Sequence, residues 1–175
     1  MASQVSTTPV EKSQKIDKSN NVYYRGLLNK NINLPFKYVG RNIDQVLHQC
    51  LGDLENKCNE DGFIKQNSIK IINYSSGTLN GSNVKFNVNF ECDICNPSEG
   101  IEIDCKVLNV SKAGIRAALD VEYGESSPLM VFVIRDHHYS NDAFNELNEN
   151  DLIKIKIIGS RFELNDDYVT VIGEI

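Results

Sequence analysis

The stretch "VKFNVNFECDICNPSEG", residues 84–100, carries two cysteines three positions apart, Cys92 and Cys95. Such a pair is either one half of a metal clasp or part of a strand that happens to contain cysteine. Taken as an extended strand, Val84, Phe86, Val88, Phe90 and Cys92 fall on one face, and Lys85, Asn87, Asn89, Glu91 and Asp93 on the other. This period of two is that of a strand with one buried face. In the same register Cys95 falls opposite Cys92, so their sulfurs cannot share one ion without a turn between them. A structural zinc site also wants four ligands, commonly as two such pairs, and no second Cys-x-x-Cys is present. Cys50 and Cys58 stand at a helix end, Cys105 stands alone, and the adjacent His137 and His138 would point apart on a strand. His48 lies on the polar side of a helix. The reading is a strand with core cysteines packing as small hydrophobes, and neither metal nor cofactor is expected.

Outward from this strand, 175 residues suffice for one ordinary domain or two small ones. No apolar run reaches bilayer length. Residues 1–21, "MASQVSTTPVEKSQKIDKSNN", have no apolar signal region and too few large apolar side chains to offset ordering entropy, which predicts a disordered tail. Five cysteines, an odd number without framework spacing, fit a reducing compartment. The net charge of -6 is uneven: seven of the 18 Lys and Arg lie at or before Arg41, with only Glu11 and Asp17 of the 24 acids. The acidic remainder makes a poor general binder of phosphate backbone, because that affinity comes mainly from neutralised phosphates.

Residues 22–36 predict an opening strand. Ile43, Val46, Leu47, Cys50, Leu51 and Leu54 then recur at steps of three and four, predicting an amphipathic helix with Asn42 as N-cap. Residues 62–74 are β-rich, and "SSGTLNGSN" (75–83) is turn chemistry. Residues 22–96 thus form a small α+β unit. In residues 97–175, Ile101, Ile103, Cys105 and Val107 alternate with Glu102, Asp104, Lys106 and Leu108, and Ile115, Ala117 and Leu119 follow. "PLMVFVIR" (128–135) is a nearly continuous apolar run. "SNDAFNELNEND" (140–151) reads as a short helix or turn with Phe144 and Leu147 inward. "LIKIKII" (152–158) and "DYVTVIGEI" (167–175) supply the last strands. Five strands with one helical interruption predict an OB-type β-barrel, and α+β as the fold class of the chain. No phosphate loop, nucleophile elbow or His-Glu-x-x-His is present, so the chain is not expected to be an enzyme by itself.

"VKFNVNFECDICNPSEGIEIDCKVLNVSKAGIRAAL" (84–119) resembles the stalk protein of multisubunit DNA-dependent RNA polymerases, known as subunit seven in eukaryotic RNA polymerase II and as E-prime in archaea. The resemblance rests on the long strand, Pro97, Gly100, the alternating first barrel strand, and a Ser-x-x-Gly-aliphatic turn at Ser111, Gly114 and Ile115. "LPFKYVGRNIDQVLHQCLGDLENKC" (34–58) is similar to the family's Pro-to-Gly turn and tip helix. The resemblance spans residues 22–175. It implies a core-docking tip domain at 22–96, an OB barrel at 97–175 near emerging RNA, the polymerase large subunits as partners, and a second stalk subunit. It carries docking to Pro35, Phe36, Gly40, Gly62 and Phe63, with interior packing as the other reading of Phe36 and Phe63. For weak contact with nascent RNA the barrel offers Lys106, Lys112, Arg116 and Arg135, with Tyr123 and His137 as stacking platforms; ordinary surface charge in acidic surroundings is the other reading of each cation.

Three departures are the N-terminal extension, Cys105 where the family commonly has glycine, and the compact "VEYGESSP" (121–128). In these respects the chain is most similar to versions encoded by large nucleocytoplasmic DNA viruses. Some of those polymerases lack a recognisable second stalk subunit, which leaves that partner open. The implied location is the virion and host cytoplasm for a viral protein, or the nucleus for a cellular one. A free-standing single-strand-binding OB protein and a zinc-stabilised interaction module are the alternatives. Substantial salt-dependent RNA affinity would favour the first, and stoichiometric zinc the second.

Overall fold

A computed structural model describes residues 22–121, 126–137, 144 and 146–175. The tail prediction for 1–21, Tyr123 and His138 lie outside these residues, as do residues 140–143 and 145 of the segment read as a short helix or turn at 140–151. Within the described residues the chain is mostly β, with one α-helix longer than a turn, a narrower composition than the α+β expectation.

The alternating stretch does form a strand, longer than its pattern requires: β5 runs Asn83–Cys95. It is the spine of the first sheet. β1 (Tyr23–Pro35) pairs antiparallel along its whole length, from Tyr23 opposite Cys95 to Pro35 opposite Asn83. On its other side β5 pairs in turn with β4 (Thr78–Asn80), β3 (Lys70–Tyr74) and β2 (Phe63–Ile64). The turn expected over 75–83 therefore contains a short strand, and the β-rich 62–74 is broken in two, with Asn67 at φ 55°. The helix α1 spans Ile43–Gly52 and lays Leu47 and Leu51, both fully buried, against Val88, Phe90, Cys92 and Ile94 of the sheet. Each such burial stabilises by about 1.5–3 kcal/mol. Asn42 holds the N-cap position as read, without a capping side-chain hydrogen bond.

The outer face of this sheet is an amide lattice. Asn29 Nδ2 donates to Asn87 Oδ1 and Asn89 Oδ1, both at 2.6 Å, and Asn89 Nδ2 donates to Asn73 Oδ1 at 2.7 Å. Toward the barrel end the face changes. Tyr23, Phe63 and Cys95 turn into a second apolar cluster, the barrel core, together with Val22 and Cys58.

The barrel is closed by β6 (Glu102–Val110), β7 (Gly114–Leu119), β8 (Leu129–Ile134), β9 (Leu152–Arg161) and β10 (Val169–Glu174), in the order β10-β8-β7-β6-β9. Only β8 and β10 run parallel among its pairs. Ile103, Cys105 and Val107 alternate inward as read, and Phe144 plugs the same core with Leu147 packed against it. The β9–β10 loop is clasped to the first sheet. Cys58 N donates to Asp166 O and Asn165 N donates to Cys58 O, each at 2.8 Å.

Cys92 and Cys95 are both fully buried, in different cores, Cys92 beneath α1 and Cys95 in the barrel cluster. Burial pushes their thiols up, to about 11 and about 12 respectively. Among the described residues no three His, Cys, Asp or Glu side chains gather as a metal-binding group. Within the same residues no helix is long and apolar enough to cross a membrane.

Candidate nucleic-acid interface

The Ser-x-x-Gly turn between β6 and β7 is held by its own chemistry. Ser111 N and Ser111 Oγ both donate to Gly114 O at 2.9 Å, and Gly114 N returns a bond to Ser111 O at 3.3 Å. Gly114 has φ +150°, and a Cβ there would stand 2.2 Å from Val133 O, so the turn is pressed onto β8 as only glycine permits. Arg135 secures the other side: its backbone N–H donates to Ala113 O at 3.1 Å and its Nη2 to Ser111 O at 3.3 Å. Its guanidinium lies 5.0 Å from the centre of the Phe144 ring.

This turn overhangs an outward row across three strands. Asn109 of β6 stands opposite Arg116 of β7, which stands opposite Phe132 of β8. Plain alternation would send Asn109 inward after Val107. A β-bulge between Val107 and Asn109 turns it out, leaving Leu108 as the extra residue. Arg116 Nε donates to Met130 Sδ at 2.9 Å, which lays the guanidinium along the sheet. Phe132 keeps 38% of its surface exposed. Around these residues and the turn lies a groove of about 340 Å³.

Lys112, Arg116 and Arg135 are thus brought to one turn. Lys106 is half-buried and sits farther along the outer face, beside Ala118 and Leu152. His137 closes the 3-10 turn Arg135–His137 that follows β8. The two sides of the barrel differ in charge pairing. On β9 and its loop each cation meets an acid: Lys154 with Glu102 at 3.8 Å, Lys156 with Glu174 at 3.3 Å and Arg161 with Glu163 at 2.8 Å. Among the described residues Lys106, Lys112 and Arg116 make no ion pair.

The five residues expected at a docking surface fall at two places. Pro35, Phe36 and Gly40 lie at the distal end, where Pro35 meets the start of β5. Phe36 (65% exposed), Tyr38 and Leu79 are open there, beside Lys37 and Arg41. Gly62 and Phe63 lie at the other end of β5, roughly 40 Å away at 3.4 Å per residue. Phe63 is 1% exposed in the barrel core, so the interior reading describes it. Gly62, at φ +138°, lets the chain pass Cys95 O, which a Cβ would approach to 2.6 Å. Sequence reasoning did not find Phe132, hidden in a continuous apolar run, nor Asn109, redirected by the bulge.

No family model matches the chain. It is similar to "Putative DNA-directed RNA polymerase subunit L376" of Acanthamoeba polyphaga mimivirus. The two share 24% identity over 172 residues, covering 88% of this chain and 82% of that protein.

Proposed function

We propose that this chain is a non-catalytic subunit of a viral DNA-directed RNA polymerase, built into its stalk. One observation carries the reading: the similarity to the mimivirus protein extends over 88% of the chain, too far to belong to the sheet or the barrel alone. The architecture supports the finer part. A barrel whose first strand lies between the second and fourth, with the third and fifth adjacent, has the order of an OB-type barrel, and a long sheet precedes it as a tip domain would.

In this reading the distal end, with Pro35, Phe36 and Gly40, docks on the polymerase large subunits near the clamp. Exposed aromatics there are suitable anchors, and Lys37 and Arg41 suit an acidic receiving surface. Gly62 and Phe63 hold the tip against the barrel. The barrel then stands near nascent RNA and touches it weakly through Lys106, Lys112, Arg116 and Arg135, with Tyr123 and His137 proposed as stacking platforms. A second stalk subunit is a further partner, and the virion and host cytoplasm are the setting.

Affinity purification of the tagged chain from infected cells, with bound proteins identified by mass, tests this. The polymerase large subunits are expected in the eluate, and Phe36→Asp is expected to deplete them. An eluate without large subunits overturns the reading. Lys112 and Arg116, which pair with no acid among the described residues, favour a second reading, a free-standing single-strand binder. That one requires strong RNA affinity for the isolated chain, falling steeply between two salt concentrations.

A further inference from the structure

We propose that the outer face of the barrel over β8, β10 and β9 is a self-docking surface that takes a second copy of this chain. Phe132 of β8 and Ile172 of β10 are direct cross-strand neighbours, and both are exposed. Ile158 extends the row onto β9. Ile172 stands opposite Gly159 and Gly173 opposite Ile157, so Ile158 is the extra residue of a bulge. It turns outward and, like Ile172, is 44% exposed. Large apolar side chains thus lie side by side over three adjacent strands. A single exposed apolar residue needs no explanation, whereas a contiguous strip marks a contact.

The two ends of the row identify the occupant. At the β7 end stands Arg116, opposite Phe132 in register. At the β9 end stands Glu99, whose Oε1 lies 4.0 Å from where a Cβ on Gly159 would be. Among the described residues neither makes an ion pair. In the order β7-β8-β10-β9 the midpoint falls between Phe132 and Ile172. The strands that carry or adjoin the two charges lie about 7 Å to either side, one and a half strand spacings. A row with an apolar centre and opposite charges at its ends is complementary to itself. A two-fold axis along the strands lays Phe132 on the other copy's Ile172, and Arg116 on the other copy's Glu99, twice over. That is the condition for an isologous contact; an acidic or a basic partner of another kind would satisfy one end only. The strip is narrower than the roughly 800 Å² per partner of a stable interface, so the dimer is weak and concentration-dependent. Pro35 and Phe36 lie at the opposite end of β5 from the barrel, so pairing leaves the proposed docking end open.

Sedimentation equilibrium of the full chain over roughly three decades of concentration tests this. A monomer–dimer equilibrium is expected, and Ile172→Asp is expected to leave monomer alone over that range. Arg116→Glu and Glu99→Arg are each expected to weaken the dimer about tenfold. The chain carrying both changes is expected to return to within about threefold of the parent. Association through any other apolar surface would not show that rescue. Should Ile172→Asp unfold the chain by circular dichroism, the two reversals and their combination decide the matter by themselves. A parent that stays monomeric, a folded Ile172→Asp chain that still dimerises, or reversals without rescue overturn the proposal. Those outcomes leave the polymerase reading untouched, since co-purification with large subunits decides that separately.

Discussion

Gly114 shows how one residue decides both a local fold and a site. Its φ of +150° lies in a region that side chains rarely adopt, and an added methyl would run into Val133 O. Gly114→Ala therefore forces the β6–β7 turn off β8. Backbone strain of this kind costs about 1–3 kcal/mol, and at this chain length each kcal/mol moves Tm by about 2–4 °C. A fall of roughly 2–12 °C by thermal circular dichroism is expected, and an unchanged Tm would contradict the close approach. The motif Ser111-x-x-Gly114-Ile115 was legible in sequence because its chemistry is local. Phe132 was not, because an apolar run around it hides which face each residue takes. Asn109 was not, because the bulge that re-aims it depends on how β6 pairs with β7. Phe36 and Phe63 look alike in sequence; only the pairing of β2 with the end of β5 sends Phe63 inward.

At the scale of elements, β5 is where pattern and structure agree most closely. Its period of two names the buried face correctly, and puts Cys92 and Cys95 on opposite sides. What the pattern could not supply was that both faces become buried at the barrel end, one under α1 and the other in the barrel. Four thiols are consequently enclosed: burial pushes Cys58 and Cys92 to about 11 and Cys95 and Cys105 to about 12, from an ordinary value near 9. Two results follow. At pH 8 Ellman's reagent should modify only Cys50, which is half-buried, in the folded chain, and all five in urea. Rapid reaction of Cys92 or Cys95 would refute their burial. Above pH 9 the unfolded chain loses thiol protons that the folded chain retains, so these groups subtract stability as pH rises toward 11–12 and are neutral below 9. Urea midpoints at pH 7, 8.5 and 10 should show a drop only at the last. Replacing Cys95 and Cys105 by alanine should flatten that drop, whatever their cost at pH 7.

Across the whole molecule, the two halves have separate sequence rhythms, which is why a boundary near residue 97 is the natural reading. Their cores nevertheless interlock. Adjacent residues of one strand serve both: Ile94 packs under α1 and Cys95 in the barrel, as do Ile64 and Phe63 of β2. Two backbone hydrogen bonds between Cys58 and the β9–β10 loop add a second tie. Neither contact was visible in the sequence, because each joins segments distant along the chain through positions with no distinguishing pattern. If the first sheet and the barrel are welded in this way, they unfold together. Urea unfolding followed by circular dichroism and by tyrosine fluorescence should give one coincident transition. Phe63→Ala should then cost about 3–5 kcal/mol and raise amide exchange equally around Phe90 beneath α1 and Val131 in the barrel. Two separate transitions, or faster exchange confined to the barrel, would mean that Phe63 belongs to one half alone. The proposed stalk role, with a docked far end and a barrel held near RNA, would call for such stiffness, since a hinge at Phe63 would spread the barrel over many positions relative to the docked end.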